Sequence, residues 1–504
     1  MPPRPARTIL PDTDEERMMR WTLWTVFAVT VARLVWVALD RTDLYPDEAQ
    51  YWVWARHLDW GYYSKPPVVA WLIGLSSRLF GDTGPAVRLP APLLHFATAM
   101  TVYGCARRLY DLRTGFWSAV TYATLPGVFV SAMIMSTDAP MLLCWAIAFY
   151  AFIRARDSDD RRWWLLVGIA IGIGLLSKYA MAYWLLCGIV FLAAIPEERC
   201  HLSMFFGATA LGLVIYLPNF LWNYGNGFVS YHHTEANASL GGPLFHPEHL
   251  LEFFGAQFGV FGPLLFAVLI GMIVLAGRTL KDRRAALLVC FTLPPLALML
   301  GLSLLSRAEA NWAAPAYIAA TILVVGWLLA EGRRIVIIVS IALHVLAALL
   351  VAVGLRNVAA IAGVTLPVKY DPLHRLQGWR SLGRAITAQM AQHPGAILMA
   401  DDRELLAALM FYVQPHPLTA LEWDPDGAIH DQFELTQQPT LDRGADFLLV
   451  SQNPRNIAPI LARFTAASPP QTITIFIGRS GAMSSPAEQR HYTVYFLKGF
   501  KGFP

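Results

Sequence analysis

Charge is scarce in this sequence. Asp, Glu, Lys and Arg make up 15% of its 504 residues, against about 25% in a typical soluble protein. Hydrophobic residues reach 56%, and mean hydropathy is +0.45. No single water-soluble core hides that much apolar surface, so a bilayer is the natural solvent. A large excess of one sign of charge is also missing. The net charge of +4 is small and dispersed, so nucleic acid is not an expected partner. Cysteine is sparse too. Cys105, Cys144, Cys187, Cys200 and Cys290 lie in or beside apolar stretches with no CxxC pair, so the sequence implies neither a disulfide framework nor a zinc site. The first 20 residues are polar and lack a cleavable signal. The apolar run after them reads as a first membrane helix.

What the sequence has in quantity is apolar runs. A membrane helix needs roughly 20 mostly apolar residues, and about eleven segments qualify as candidates. They lie near Trp21–Leu39, Val87–Cys105, Phe116–Met135, Ala139–Ile153, Trp163–Ser177, Met181–Ile195, Leu202–Leu217, Gly255–Ala276, Ala285–Leu305, Trp312–Leu329 and Ile335–Gly354. The fifth and sixth are short and read either as two helices or as one bent segment. Alternate connections carry positive charge: Arg107, Arg108 and Arg113; Arg154, Arg156, Arg161 and Arg162; Arg199; Arg278, Lys281, Arg283 and Arg284; Arg333 and Arg334. The intervening ones are nearly bare, and Pro218–Phe254 has neither Lys nor Arg. Positive loops stay in the cytoplasm. The N-terminus is therefore expected inside, and an odd helix count puts the C-terminus outside.

The outer segment Arg41–Arg88 breaks this pattern. It mixes charges with Tyr45, Tyr51, Trp52, Trp54, Trp60, Tyr62 and Tyr63. Residues 47–58 are expected to form an interfacial helix, with Tyr51, Trp54 and Leu58 on one face and Glu48, Arg56 and His57 on the more polar side. A second helix is expected from Pro66 to Phe80. After about Thr365 the apolar runs shorten. Residues 396–400, 446–451, 472–478 and 491–498 read as strands. Gly378–Gln392, Asp402–Val413 and Asn456–Phe464 read as helices, giving a small α/β domain.

Five places could carry chemistry. Asp47 and Glu48 follow Tyr45-Pro46; a partly desolvated carboxylate there can act as a base, or it caps a helix. Lys65, before Pro66-Pro67, suits a phosphate at a helix start, or snorkels at the membrane surface. Asp138 in Ser136-Thr137-Asp138-Ala139-Pro140 is a second outer acid or another cap. Lys178 is an ionisable residue in an apolar region, which is costly and points to function. Arg307, Glu309 and Asn311 form an outer junction, either functional or an internal ion pair. Other patterns are weak. Gly172 to Lys178 lacks a phosphate-loop ending, and Gly168 and Gly172 fit a close-packing helix face. His232-His233 and His246-Pro247-Glu248-His249 have only loose metal-like spacing.

Together these motifs resemble a family. Asp47-Glu48-Ala49-Gln50-Tyr51, Tyr63-Ser64-Lys65-Pro66-Pro67, Phe80-Gly81, Val87-Arg88-Leu89-Pro90 and Thr137-Asp138-Ala139-Pro140 are similar to the bacterial GT-C glycosyltransferases. These are the groups of the lipid A aminoarabinose transferase, the rhizobial galacturonosyl transferases and the protein O-mannosyltransferases (glycosyltransferase family 39-like). The resemblance is strongest over residues 33–180. It continues through Leu217-Pro218-Asn219-Phe220-Leu221-Trp222-Asn223 and Asn311-Trp312, then fades.

The resemblance implies a polyprenyl-phosphate-linked sugar donor, with Asp47 at the reaction centre and Lys65 at the lipid phosphate. One departure stands out. Aminoarabinose transferases usually have Glu before that lysine, and this chain has Ser64, which argues against a metal there and against aminoarabinose as the sugar.

The expected protein has a cytoplasmic tail (1–20), an all-α polytopic GT-C domain (21–364, first periplasmic loop 41–86) and a periplasmic α/β domain (365–504). Asp47, Glu48 and Asp138 are the expected catalytic acids. Lys65, Arg56, Lys178 and Arg307 are expected at the donor phosphate. Tyr51, Tyr62, Tyr63 and Asn311 are expected to line the substrate pocket. The expected reaction is inverting sugar transfer from polyprenyl phosphate to lipid A, lipopolysaccharide core or a related glycan at the periplasmic face of the bacterial inner membrane. Membrane lipids surround a monomer. A divalent cation is compatible with the paired acids, and no other cofactor is expected. A protein O-mannosyltransferase is the first rival. A lipid or solute transporter is the second, disfavoured because the two halves do not resemble each other and the acids sit in outer loops.

Overall fold

The computed structural model describes residues 13–238, 245–274, 282–353, 371, 373–424, 426–436, 444–477 and 489–502. Arg278, Lys281 and the expected domain boundary at residue 365 lie outside the described residues.

Each of the eleven apolar runs is mostly helical where described, several with a break. The first helix, Asp14–Leu39, begins before the expected Trp21. Thr13 caps it by accepting from Glu16 N at 3.2 Å, and three acids occupy its first turn. Among the described residues, five helices are long and apolar enough to cross a bilayer singly, or up to seven if two bent pairs each count as one span. Those pairs are Leu112–Thr124 with Pro126–Met133, bent by 56°, and Pro247–Val260 with Pro263–Val274, bent by 118°. A proline starts the second helix of each pair, where its missing N–H costs the helix nothing. The 163–195 region holds two helices, Arg162–Ser177 and Ala182–Ala194. Lys178 occupies the break between them in extended conformation.

Close packing depends on glycine where helix Arg162–Ser177 meets helix Leu202–Gly225. A Cβ on Gly168 would sit 2.6 Å from the Ala208 carbonyl oxygen, and one on Gly172 would sit 2.6 Å from Ile215 Cβ. The arginine-bearing connections meet at one end of the bundle. Arg107 pairs with Glu15, and Arg108 Nε donates to Asp157 at 3.1 Å. Arg156 Nε and Arg283 Nη2 both donate to Glu198, at 2.7 and 2.6 Å. These ion pairs bring several of the arginine-bearing connections together.

At the other end, the outer helices are Pro46–Trp54 and Val68–Phe80. The first does not lie on an interface with a polar face outward. Glu48, Tyr51, Trp52 and Trp54 are all buried, because the C-terminal domain covers the helix.

That domain carries a six-stranded mixed sheet: β1 (Ile397–Ala400), β2 (Leu421–Glu422), β3 (Phe447–Ser451), β4 (Phe464–Ala467), β5 (Gln471–Phe476) and β6 (Gln489–Phe500). The order is β2-β1-β3-β6-β4, with β5 also on β6. β1 is parallel to β2 and β3, while β6 is antiparallel to β3, β4 and β5. β6 serves two partners along its length: residues 489–494 face β5 and 497–500 face β4. The helix expected to reach Phe464 stops at Leu461, since Phe464 opens β4.

One apolar cluster joins this domain to the outer loop. Trp52, Trp54, Val69 and Ile73 pack with Leu382, Leu406, Leu409 and Phe411. Polar ties reinforce it. Asp43 N donates to the Leu376 carbonyl at 2.8 Å, Leu44 N to the Tyr412 hydroxyl at 2.6 Å, and Tyr63 N to Gln432 Oε1 at 2.6 Å.

Candidate active site

The neighbouring acids Asp47 and Glu48 divide the two readings between them. Glu48 is fully buried and is the helix-capping acid: its Oε2 accepts from Tyr45 N at 2.9 Å. Oε1 accepts from Met135 N at 2.9 Å. Arg88 closes the arrangement, with Nη2 2.9 Å from Glu48 Oε2 and Nε 3.1 Å from Oε1. Arg88 also reaches Asp40 at 2.9 Å, Thr42 at 3.0 Å and the Asp43 carbonyl at 2.8 Å. A carboxylate so fully engaged holds three chain segments together and has no lone pair to spare for a substrate proton. The geometry of Glu48 is that of the capping alternative.

Asp47 remains partly exposed, at 41% of its side chain. It lines a pocket of about 140 Å³ with Tyr45, Tyr51, Ile134 and Ser136. Its Oδ1 accepts from Arg403 Nη1 at 3.1 Å. Tyr51 is buried, and burial followed by the Asp47 charge pushes its hydroxyl well above the ordinary tyrosine value. It stays a neutral wall.

Asp138 opens helix Asp138–Arg156. Its Oδ1 lies 2.6 Å from Lys178 Nζ, and its Oδ2 accepts from Asn311 Nδ2 at 2.9 Å. Three segments far apart in sequence therefore converge on one carboxylate. Asp138, Asn311 and Ser136 form the polar end of a cavity of about 570 Å³ that is otherwise mostly apolar. Ile134 and Ser136 line this cavity and the Asp47 pocket alike, so the two spaces share a wall.

Lys65 stands among these groups. The turn Tyr62–Lys65, closed by Tyr62 N donating to the Lys65 carbonyl at 3.1 Å, precedes the Pro-Pro helix start. Its ammonium has no hydrogen bond or ion pair among the described residues. Burial first, then Lys178, holds it below the ordinary lysine value, while Asp47 and Asp138 work the other way. A desolvated cation without a partner, beside two partnered acids, is set up to receive an anion.

The other expected residues separate. Arg56 pairs with Asp82 (Nη2 to Oδ1 2.8 Å) and lies over the Trp52 ring at 4.5 Å, so its charge is already answered within the outer loop. Arg307 sits 3.8 Å from Glu309 with both side chains exposed, which is the internal ion-pair alternative. Tyr62 stacks on Trp54 at 4.6 Å and donates to the Trp54 carbonyl at 3.2 Å, so it braces the loop instead of facing substrate. Tyr63 is near the site, edge-on to His233 at 5.2 Å. Asn219 and Trp222 hold the loop from the membrane side, through the Trp60 carbonyl at 2.7 Å and Asp59 Oδ2 at 2.8 Å. Metal-type donors come within 4.8 Å of one another, in groups of three or more among the described residues, at His246, Glu248 and His249, not at Asp47 or Asp138.

Sequence reasoning missed two residues here. His233 was set aside as a loop histidine, yet it senses Lys65, Arg403 and Asp47, and burial lowers its value to about 4. It is neutral at physiological pH and available for hydrogen bonding. Arg403 was missed because its place depends on domain docking. It begins helix Arg403–Tyr412 after the Asp402 cap, and nothing local in sequence marks its destination.

Comparison with known proteins agrees with this geometry. Residues 64–222 match the family model described as dolichyl-phosphate-mannose-protein mannosyltransferase. The chain is 33% identical over 394 residues to the lipid A galacturonosyltransferase RgtD of Rhizobium johnstonii, covering 77% of this chain and 82% of that one. It is 28% identical over 226 residues to an undecaprenyl phosphate-alpha-4-amino-4-deoxy-L-arabinose arabinosyl transferase of Pseudomonas aeruginosa, covering 40% of each. In structure it resembles ArnT from Cupriavidus metallidurans bound to undecaprenyl phosphate, with TM-score 0.65 and 18% identity over 94% of this chain and 98% of that one. A shared membrane fold, a match along most of the chain and the convergence of Asp47, Lys65 and Asp138 make one conclusion: the chain belongs to the GT-C glycosyltransferase family that includes the lipid A galacturonosyltransferases.

Proposed function

We propose that this protein moves a sugar from a polyprenyl-phosphate donor onto a hydroxyl of lipid A, lipopolysaccharide core or a related envelope glycan. The observation that carries the reading is the Lys65 ammonium, which has no partner among the described residues and feels the charges of Asp47 and Asp138. A donor phosphate supplies the missing anion. The apolar cavity of about 570 Å³ ending at Asp138 and Asn311 suits a lipid-borne substrate. The 33% relative, named a lipid A galacturonosyltransferase, favours a hexuronic acid as the sugar and lipid A as the acceptor.

In the proposed step the acceptor hydroxyl attacks the anomeric carbon from the face opposite the phosphate. Its proton passes to Asp47. The bond from the anomeric carbon to the phosphate oxygen breaks, and polyprenyl phosphate leaves with the electron pair, stabilised by Lys65. One displacement inverts the anomeric centre. Lys178 and Asn311 hold Asp138 at the border of the two cavities, where it orients a sugar or acceptor hydroxyl. The protein acts as a monomer with eleven crossings, a cytoplasmic N-terminus and a periplasmic C-terminal domain. Mass spectrometry of lipid A and core from a deletion strain tests the reading. A missing hexuronic acid is the expected result. Intact lipid A and core with lost protein-linked hexose would favour protein O-mannosylation.

A further inference from the structure

Arg403 uses only part of its hydrogen-bonding capacity. Nη1 donates to Asp47 Oδ1 at 3.1 Å and to Gln50 Oε1. Nη2 stands 3.8 Å from Glu404, which is beyond hydrogen-bond reach. Glu404 is itself taken by Arg375 Nη2 at 2.6 Å. Among the described residues no acceptor meets the Nε–H or the Nη2 hydrogens. That pair of groups forms a planar fork, which matches the two oxygens of a carboxylate. The side chain is about a third exposed, so the fork is reachable.

We propose that the Nε/Nη2 edge of Arg403 is a carboxylate subsite, which takes the C6 carboxylate of a uronic acid carried on the polyprenyl-phosphate donor. The inference rests on the transfer reading above and adds the residue that recognises the sugar. The Lys65 ammonium has no partner among the described residues, and a phosphodiester with its single charge satisfies it. A neutral sugar would then leave the guanidinium edge facing a hydroxymethyl group, which cannot answer two charged donors. A carboxylate can.

The same arrangement links recognition to catalysis. The guanidinium that would take the sugar carboxylate through Nε and Nη2 holds Asp47 Oδ1 through Nη1 at 3.1 Å, so one side chain sets both the bound sugar and the acid.

The test compares two donors on one short-chain polyprenyl phosphate, galacturonyl and galactosyl, which differ only at C6. Wild-type protein is expected to prefer the galacturonyl donor. Arg403→Gln and Arg403→Lys are expected to raise KM for that donor about 10- to 100-fold more than KM for the galactosyl donor. Arg403→Lys keeps a positive charge beside Asp47 and loses the fork, so it separates recognition from charge and guards against a folding defect. Equal losses in kcat for both donors would reduce Arg403 to a positioning residue for Asp47 and overturn the subsite. So would wild-type preference for the galactosyl donor. Transfer from neither donor by well-folded wild-type protein would overturn the transfer reading itself, and the subsite with it.

Discussion

Arg403 Nη1 lies 3.1 Å from Asp47 Oδ1, joining the first turn of a C-terminal-domain helix to the first turn of the outer-loop helix. The contact makes Asp47 the acid that remains open to chemistry, because Glu48 beside it is buried under Arg88. Asp47→Asn should fold and insert normally, since the helix cap belongs to Glu48. Transfer should fall by about 100- to 10,000-fold, the usual cost of losing a general base. Single-turnover rates in membranes with matched protein levels check this, and wild-type turnover would remove Asp47 from the mechanism.

Lys65→Ala should weaken donor binding about ten- to hundredfold, from loss of one charge-assisted contact worth about 1.5–3 kcal/mol. The pH dependence has a definite sign. Because burial and Lys178 lower the folded-state value of Lys65, the free enzyme loses this cation at lower pH than an exposed lysine would. Donor KM should therefore rise on the alkaline side, earlier than ordinary lysine titration predicts. Lys65→Arg should flatten that rise.

Stability runs the opposite way at the same residue. A lysine whose folded value is depressed binds fewer protons folded than unfolded, so its contribution to stability improves as pH rises through that window. Lys65→Met should raise the melting temperature of donor-free protein near neutral pH while abolishing tight donor binding. A lower melting temperature would mean that the ammonium has a stabilising partner.

Glu48→Gln should behave unlike Asp47→Asn. Breaking the buried Glu48–Arg88 pair leaves Arg88 with Asp40 as its remaining carboxylate partner and costs up to about 3–5 kcal/mol. Yield and thermal stability should drop, with activity falling alongside them. Replacing both residues by Met should recover part of the stability but not the register of the Met135 segment. A thermally normal Glu48→Gln variant would show that the clamp is not needed for the fold.

Topology has a native probe. Cys200 is exposed, while Cys105, Cys144, Cys187 and Cys290 are buried. It lies beside Arg199, in the set of connections tied together through Glu198. A membrane-impermeant maleimide should label Cys200 in inverted vesicles and spare it in intact spheroplasts. A phosphatase fused after Lys501 should be active. The reverse pattern would invert the orientation.

The sequence made the helices legible because apolar runs of bilayer length have few alternatives. It made Asp138 and Lys178 legible for a similar reason: charges beside such runs demand a partner, and here they are each other's at 2.6 Å. It could not separate Asp47 from Glu48, since adjacent acids in a first turn look alike until Arg88 folds against one of them. The pairing of Arg56 was not legible because its partner Asp82 lies across a loop, a relationship that local pattern does not record. Arg403 was invisible for the same reason on a larger scale.

The docking of the C-terminal domain also sets a schedule. The ribosome makes residue 47 early and residue 403 late, and the contact between them needs both. A chain halted before β1 would already sit in the bilayer with Lys65 and Asp138 in place, yet lack the Arg403 guanidinium beside Asp47. Under the proposed reading such a nascent chain would meet the donor phosphate without the side chain that selects the sugar. Selectivity would switch on in one late event, when the last fifth or so of the chain has folded over the outer loop.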